Sequence, residues 1–162
     1  MPAIKKARGF SLIELMAVVV VTGILAAAAV PLGGAWVDRA RLSSAKGELR
    51  ESFGRAKNVA IRNAEAVAAG EPVTSVCLSD TNALTILAHT GLQAPDCANG
   101  LGEQIFSTQL PDSVSVTENA NPVNCMCFNN WGVLTNNSCG ICLTDASLKL
   151  EVGDRTETIL VY

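Results

Sequence analysis

Six cysteines, one histidine and one carboxylate inside an apolar run carry most of the chemical potential of this 162-residue chain. Cys125-x-Cys127 followed by Cys139-x-x-Cys142 has the spacing of a four-thiolate zinc site, and Cys139-Gly140-Ile141-Cys142 has that of a dithiol redox pair. Cys77 and Cys97 stand apart from that group. All six could instead form structural disulfides, and the compartment decides, because thiols stay reduced in the cytosol and oxidise outside it. His89, the only histidine, ends a predicted strand with no serine or acid pattern beside it, so it reads as a satisfied structural residue and not as a general base. Asn136-Asn137-Ser138 matches a glycosylation triplet too short to inform.

The N-terminus settles the compartment. Phe10 to Val30 reads FSLIELMAVVVVTGILAAAAV, 21 residues with Glu14 as the single charge. At about 1.5 Å per residue it spans a hydrocarbon core of roughly 30 Å. Lys5, Lys6 and Arg8 precede it, so the positive-inside rule keeps the N-terminus cytoplasmic and puts everything after Pro31 across the membrane. The cysteines are then exported, which weighs against zinc and redox catalysis and for disulfides. A Cys77–Cys97 bridge would close a loop of about 20 residues and tie it to a sheet. The other four lie close together, so two cross-links are expected between the Cys125/Cys127 pair and the Cys139/Cys142 pair, with the choice of partners open. No catalytic residue, metal or cofactor is expected. Glu14 is the anomaly: a carboxylate within lipid costs on the order of 3 kcal/mol unless it finds a partner.

Lys5-Lys6-Ala7-Arg8-Gly9-Phe10-Ser11-Leu12-Ile13-Glu14-Leu15-Met16 resembles the class III signal of type IV pilins and type II secretion pseudopilins. The resemblance implies that a prepilin peptidase cuts after Gly9 and methylates the new N-terminal Phe10. It also implies that Glu14, at the fifth mature position, meets the cationic N-terminus of a neighbouring subunit. Within the family, Leu49-Arg50-Glu51-Ser52-Phe53-Gly54-Arg55-Ala56-Lys57-Asn58-Val59-Ala60-Ile61-Arg62 and Phe128-Asn129-Asn130-Trp131-Gly132 are similar to a helix and an F-x-x-x-G turn of the GspH, FimT and FimU group. The implied function is that of a minor type IV pilin, a structural subunit and not an enzyme. A minor pseudopilin and a DNA-uptake pilin are the alternatives. The implied partners are other major and minor pilins, the prepilin peptidase, an inner-membrane assembly platform, and lipid before assembly. The implied location is the inner membrane with a periplasmic head, then the pilus fibre at the cell surface. The basic Gly-Arg-x-Arg tail of DNA-binding relatives is missing, Gly153-Asp154-Arg155 being the nearest approach.

These residues need elements to hold them. Leu42, Ala45, Leu49, Phe53, Ala56, Ala60, Asn63 and Val67 recur at helical spacing and predict one buried face of a helix running from Phe10 to about Ala69, bent near Pro31 and ended by Gly70 and Pro72. The opposite face carries Arg41, Lys46, Arg50, Arg55, Lys57 and Arg62, read as solvated. Beyond Pro72 the period becomes two. Val73–Ser79 and Ala83–His89 read as one hairpin, Gln104–Leu110 and Ser113–Glu118 as a second around Pro111-Asp112, and Leu148–Val152 with Thr156–Tyr162 as a third, with Thr90–Gly102 a surface loop.

The class expected is α+β, a long N-terminal helix packed on an antiparallel sheet, with a leader at 1–9, a transmembrane and assembly helix at 10–36 and a head at 37–162. The formal charge of −3 hides an asymmetry: from Glu71 onward 2 basic residues face 10 acidic ones. That excess repels phosphate backbones and argues against nucleic-acid binding. Composition also excludes a disordered or collagen-like chain.

Overall fold

The computed structural model describes residues 10–135 and 147–161, and for residues 29–33 the backbone alone. The leader with Gly9, the glycosylation triplet, Cys139 and Cys142 lie outside the described residues, and so does the side chain of Pro31, where the bend is expected. The chain divides between Val37 and Asp38 into two compact units.

Helix α1 (Leu12–Arg62) begins in the first unit and ends in the second. In the second unit Leu42, Ala45, Leu49, Phe53, Ala56 and Ala60 are buried, as their spacing predicts. The alanines on this stripe leave room for strands to approach, while Leu49 and Phe53 supply apolar bulk. The helix ends at Arg62 and not near Ala69. Asn63 stops it: this residue takes φ 42°, a conformation Asn tolerates better than most, and its N–H donates to the Val59 carbonyl at 3.2 Å. Its side-chain amide then donates to Val67 O at 2.9 Å and accepts from Val67 N at 2.8 Å, so the backbone finds partners without another helical turn. Asn63 and Val67 therefore lie past the helix, though Val67 still packs against the core.

Among the described residues nine strands follow, paired antiparallel in two sheets. β1 (Pro72–Leu78), β2 (Ala83–Ala88), β3 (Glu103–Gln109), β6 (Cys125–Asn129) and β7 (Leu134–Thr135) form the first, in the order β3-β2-β1-β6-β7. β4 (Ser115–Glu118), β5 (Asn121–Pro122), β8 (Ser147–Val152) and β9 (Arg155–Leu160) form the second, in the order β5-β4-β8-β9. The first and last predicted hairpins are present as β1–β2 and β8–β9. The middle one is not, because β3 and β4 belong to different sheets.

Asn82, in the β1–β2 turn at φ 60°, redirects the chain. Its carbonyl accepts from Leu110 N at 2.9 Å, and its side-chain amide donates to Pro111 O at 3.1 Å and Val114 O at 2.9 Å. With Leu110 and Val114 both buried, the Pro111-Asp112 segment is a crossover held to the core and not a hairpin tip. β6 escaped the period-two reading because all five of its residues are buried. A strand covered on both faces shows no alternation.

One core joins both sheets to the helix: Leu49, Phe53 and Ala56 with Val76, Ile86, Met126 and Phe128, and with Leu148, Leu150 and Ile159 of the second sheet. Phe53 and Phe128 meet with ring centroids 6.3 Å apart at a 55° tilt. The buried Thr74 hydroxyl donates to Ala56 O at 3.2 Å, which removes the penalty of placing it against the helix. The Phe128-Asn129-Asn130-Trp131-Gly132 turn lies on the end of α1. Gly132 takes φ 70°, which favours glycine, and a Cβ there would sit 3.1 Å from Ile61 Cδ1, tighter than ordinary contact.

Candidate functional site

In the first unit the helix begins with one arm of a capping box. The Ser11 N–H donates to Glu14 Oε2 at 3.1 Å, and Leu15 N–H donates to Ser11 O at 3.2 Å, the first helical bond. Ser-x-x-Glu is the sequence signature of this arrangement, and it turns the carboxylate back toward the helix N-terminus. Phe10, immediately before the cap, is 86% exposed.

Along the following turns Leu12, Ile13, Leu15, Met16, Val18–Val21, Ile24 and Leu25 are all exposed, so this stretch is apolar around its whole circumference. Thr22, the one hydroxyl in it, spends its donor on Val18 O at 2.8 Å and Val19 O at 3.0 Å, and presents no free donor sideways. A helix apolar on every side needs an apolar surrounding of some kind. Among the described residues no helix is long and apolar enough to cross a membrane. The described side chains of the run end at Ala28.

Residues 4–30 match the prokaryotic N-terminal methylation motif. The chain carries the leader motif of type IV pilins and pseudopilins. The match covers Gly9, Phe10 and Glu14 and supports processing by a prepilin peptidase and assembly with other pilins. The match spans the N-terminal part of the chain. Neither a curated protein nor a solved structure matches the chain.

In the second unit the first sheet's face turned away from α1 gathers Cys77, Cys97, Cys125 and Cys127. Cys77 and Cys97 are bonded to each other with Cα atoms 5.3 Å apart, as their positions in strand and loop predict. Cys125 lies directly across from Cys77 in the β1–β6 register, and Cys127 lies across from Ser75. Cys125 and Cys127 are buried and pack with Cys97, and Cys127 is itself disulfide-bonded. The Ser75 hydroxyl is within 3.3 Å of Pro95 O and 3.4 Å of Cys127 Sγ.

Sequence reasoning kept Cys77–Cys97 separate from the Cys125/Cys127 pair. The structure brings them together, because β6 inserts beside β1, a long-range pairing with no local signal. Beside this cluster opens a cavity of about 800 Å³ lined by Cys77, Asp80, Thr85, Leu87, Gly100 and Gln104 among others. Among the described residues no group of His, Cys, Asp or Glu is arranged to hold a metal ion.

The loop that the disulfide tethers has its own order. Asp96 accepts hydrogen bonds from the Asn99 side chain at 2.6 Å and from Ala98 N–H at 2.8 Å, and these hold its carboxyl below the usual carboxylate range. Asp96 and Leu101 also exchange backbone bonds at 2.9 and 3.0 Å. Replacing both Cys77 and Cys97 by alanine is expected to cost about 3 kcal/mol, the loop-closure entropy for about 20 residues, and to lower the melting temperature accordingly. Unchanged thermal unfolding of the double variant by circular dichroism would show that the packed loop holds itself.

His89 departs from expectation. Its backbone N–H donates to Val73 O at 2.8 Å, but its buried Nδ1 has no hydrogen-bond partner among the described residues. It lines a small cavity with Glu65 and Glu71, and no serine, threonine or cysteine sits among the lining residues.

Three of the six cations on the basic helix face are ion-paired among the described residues. Arg41 pairs with Asp38 at 3.7 Å, Lys46 with Glu157 at 2.6 Å, and Arg55 with Glu51 at 2.6 Å. Arg55 also lies 4.5 Å from the Phe106 ring centroid, and Lys57 lies 5.5 Å from that of Phe128. Burial lowers Lys57 below the ordinary lysine value. Cations held by carboxylates and ring faces release few counterions to a phosphate backbone.

Proposed function

We propose that the chain is a minor type IV pilin, made as a membrane-anchored precursor, cut after Gly9, methylated on Phe10 and assembled into, or priming, a pilus. The observation that carries this reading is the methylation motif on a helix that is apolar around its circumference at one end and packs on antiparallel sheets at the other. Residues 1–9 act as the leader, 10–36 as the anchor and assembly helix, and 37–162 as the periplasmic head.

Cutting after Gly9 creates a cationic amine on Phe10, one residue before the N-cap. Glu14 already faces that end of the helix through Ser11. A carboxylate so placed can meet the amine of an adjacent subunit, and pairing satisfies both charges in apolar surroundings where neither is stable alone. Pro31 would supply a bend between anchor and head. The head needs no catalytic group for this role. Its disulfides suit an exported domain, with the remaining bonds linking Cys125 and Cys127 to Cys139 and Cys142.

A minor pseudopilin of a type II secretion system has the same physics with a shorter filament and a secretion substrate. The DNA-uptake alternative gains nothing from the partly ion-paired helix face or from the acidic balance after Glu71.

The test is mass spectrometry of the chain recovered from the membrane of cells that contain a prepilin peptidase. The expected N-terminal peptide begins at Phe10 and carries one added methyl group. A terminus elsewhere, or an unmodified Phe10, would overturn the assignment.

A further inference from the structure

Resting on the membrane anchor proposed above, we propose that Trp36 sets the depth of that anchor by seating its indole in the lipid headgroup layer on the exported side. Trp36 lies on α1 at the end of the first unit and is 72% exposed. Between Arg8 and Asp38 the sequence has one charge, Glu14. From Phe10 to Trp36 there are 26 residue steps, which in a helix cover about 39 Å. The hydrocarbon of a bilayer is about 30 Å thick, and the whole bilayer with headgroups about 40–45 Å. From Leu15 to Val37 no residue is charged, 22 steps or about 33 Å, so this stretch is slightly longer than the hydrocarbon, and hydrophobicity alone leaves its vertical position undetermined by a few ångströms.

Two groups remove that freedom. An indole has an apolar body and one N–H donor, so it is most stable where hydrocarbon meets polar headgroups, and the phosphate and ester oxygens there accept its hydrogen bond. Glu14 stands 22 steps before Trp36, or about 33 Å along the helix. With Trp36 in the outer headgroup layer, Glu14 comes to the inner edge of the hydrocarbon, where a carboxylate costs much less than at the centre. Sliding the helix outward would draw Glu14 into lipid, and sliding it inward would draw in Asp38 and Arg39, which follow Trp36 in sequence. Glu14 and Asp38 stand 24 steps, about 36 Å, apart, so both stay wet over a range of about 6 Å, and the indole of Trp36 selects the depth within that range.

The chain has two tryptophans, and Trp131 lies on the head, 63% exposed, so Trp131→Phe leaves Trp36 as the only indole without touching the core. The experiment uses the full chain with this change in vesicles of phosphatidylcholine and phosphatidylglycerol, with lipids brominated near the headgroup or near the ends of the acyl chains. Bromines near the headgroup should quench Trp36 fluorescence at least about twofold more than those near the chain ends. Stronger quenching by the chain-end bromines, or none by either, would overturn the proposal.

A second variant, Leu25→Trp with Trp36→Phe and Trp131→Phe, tests the membrane reading separately, since Leu25 lies 11 steps, about 17 Å, from Trp36. If that indole is quenched by chain-end bromines while Trp36 fails its own test, the anchor stands and the role of Trp36 falls. If it is quenched by neither, the anchor itself is overturned and the role of Trp36 with it.

Discussion

Gly9→Val is expected to leave the chain as an uncleaved precursor in the membrane, with mature protein reduced to a trace. A peptidase must bring its catalytic groups against the backbone on both sides of the bond it cuts. Glycine permits that approach, and a β-branched side chain both fills the space and restricts the backbone angles available there. Gly9 lies within the matched methylation motif and immediately before Phe10. Intact mass measured on membrane extracts separates the precursor from a product nine residues shorter. Normal processing of the variant would remove Gly9 from the recognition site.

Glu14→Ala should have the opposite profile, with cleavage and membrane insertion retained and incorporation into sheared filaments reduced at least about tenfold, equivalent to about 1.4 kcal/mol of lost pairing. Alanine is at least as stable in lipid as a carboxylate, so a defect in insertion is not expected. The change also removes the Ser11–Glu14 cap, but one cap on a helix of 51 residues is a local loss of about 1 kcal/mol. Glu14→Gln keeps a hydrogen-bond acceptor for the Ser11 N–H while removing the charge. If Glu14→Gln assembles normally and Glu14→Ala does not, the cap and not the ion pair is what assembly uses. If both assemble normally, Glu14 has no role in packing subunits.

How far the head could be read in advance depended on whether a feature was local. The buried stripe from Leu42 to Ala60 was legible because helical periodicity is a property of neighbouring residues. So were the β1–β2 and β8–β9 hairpins, whose turn and strands are contiguous. Asn63 carried a readable signal, since Asn is the common non-glycine residue at a helix end, but Gly70 and Pro72 are stronger punctuation and masked it. The outer edge of the fold was harder. Nothing near Pro111-Asp112 says that this turn joins two sheets, because the instruction comes from Asn82, about 30 residues earlier.

By itself the sequence determined the leader motif, the apolar helix with its single carboxylate and the α+β class, and it suggested the Cys77–Cys97 bond that the structure contains, since each rests on residue types at short spacing or on the compartment they imply. Tertiary structure alone decided that there are two sheets, that β6 lies between β1 and β7, that Cys125 and Cys127 join the Cys77–Cys97 site, and that most helix cations face carboxylates or rings. Those arrangements are chosen by burial and pairing between residues tens of positions apart. Their free energy exists only once the chain has closed the intervening loops, so no short window of residues can report it.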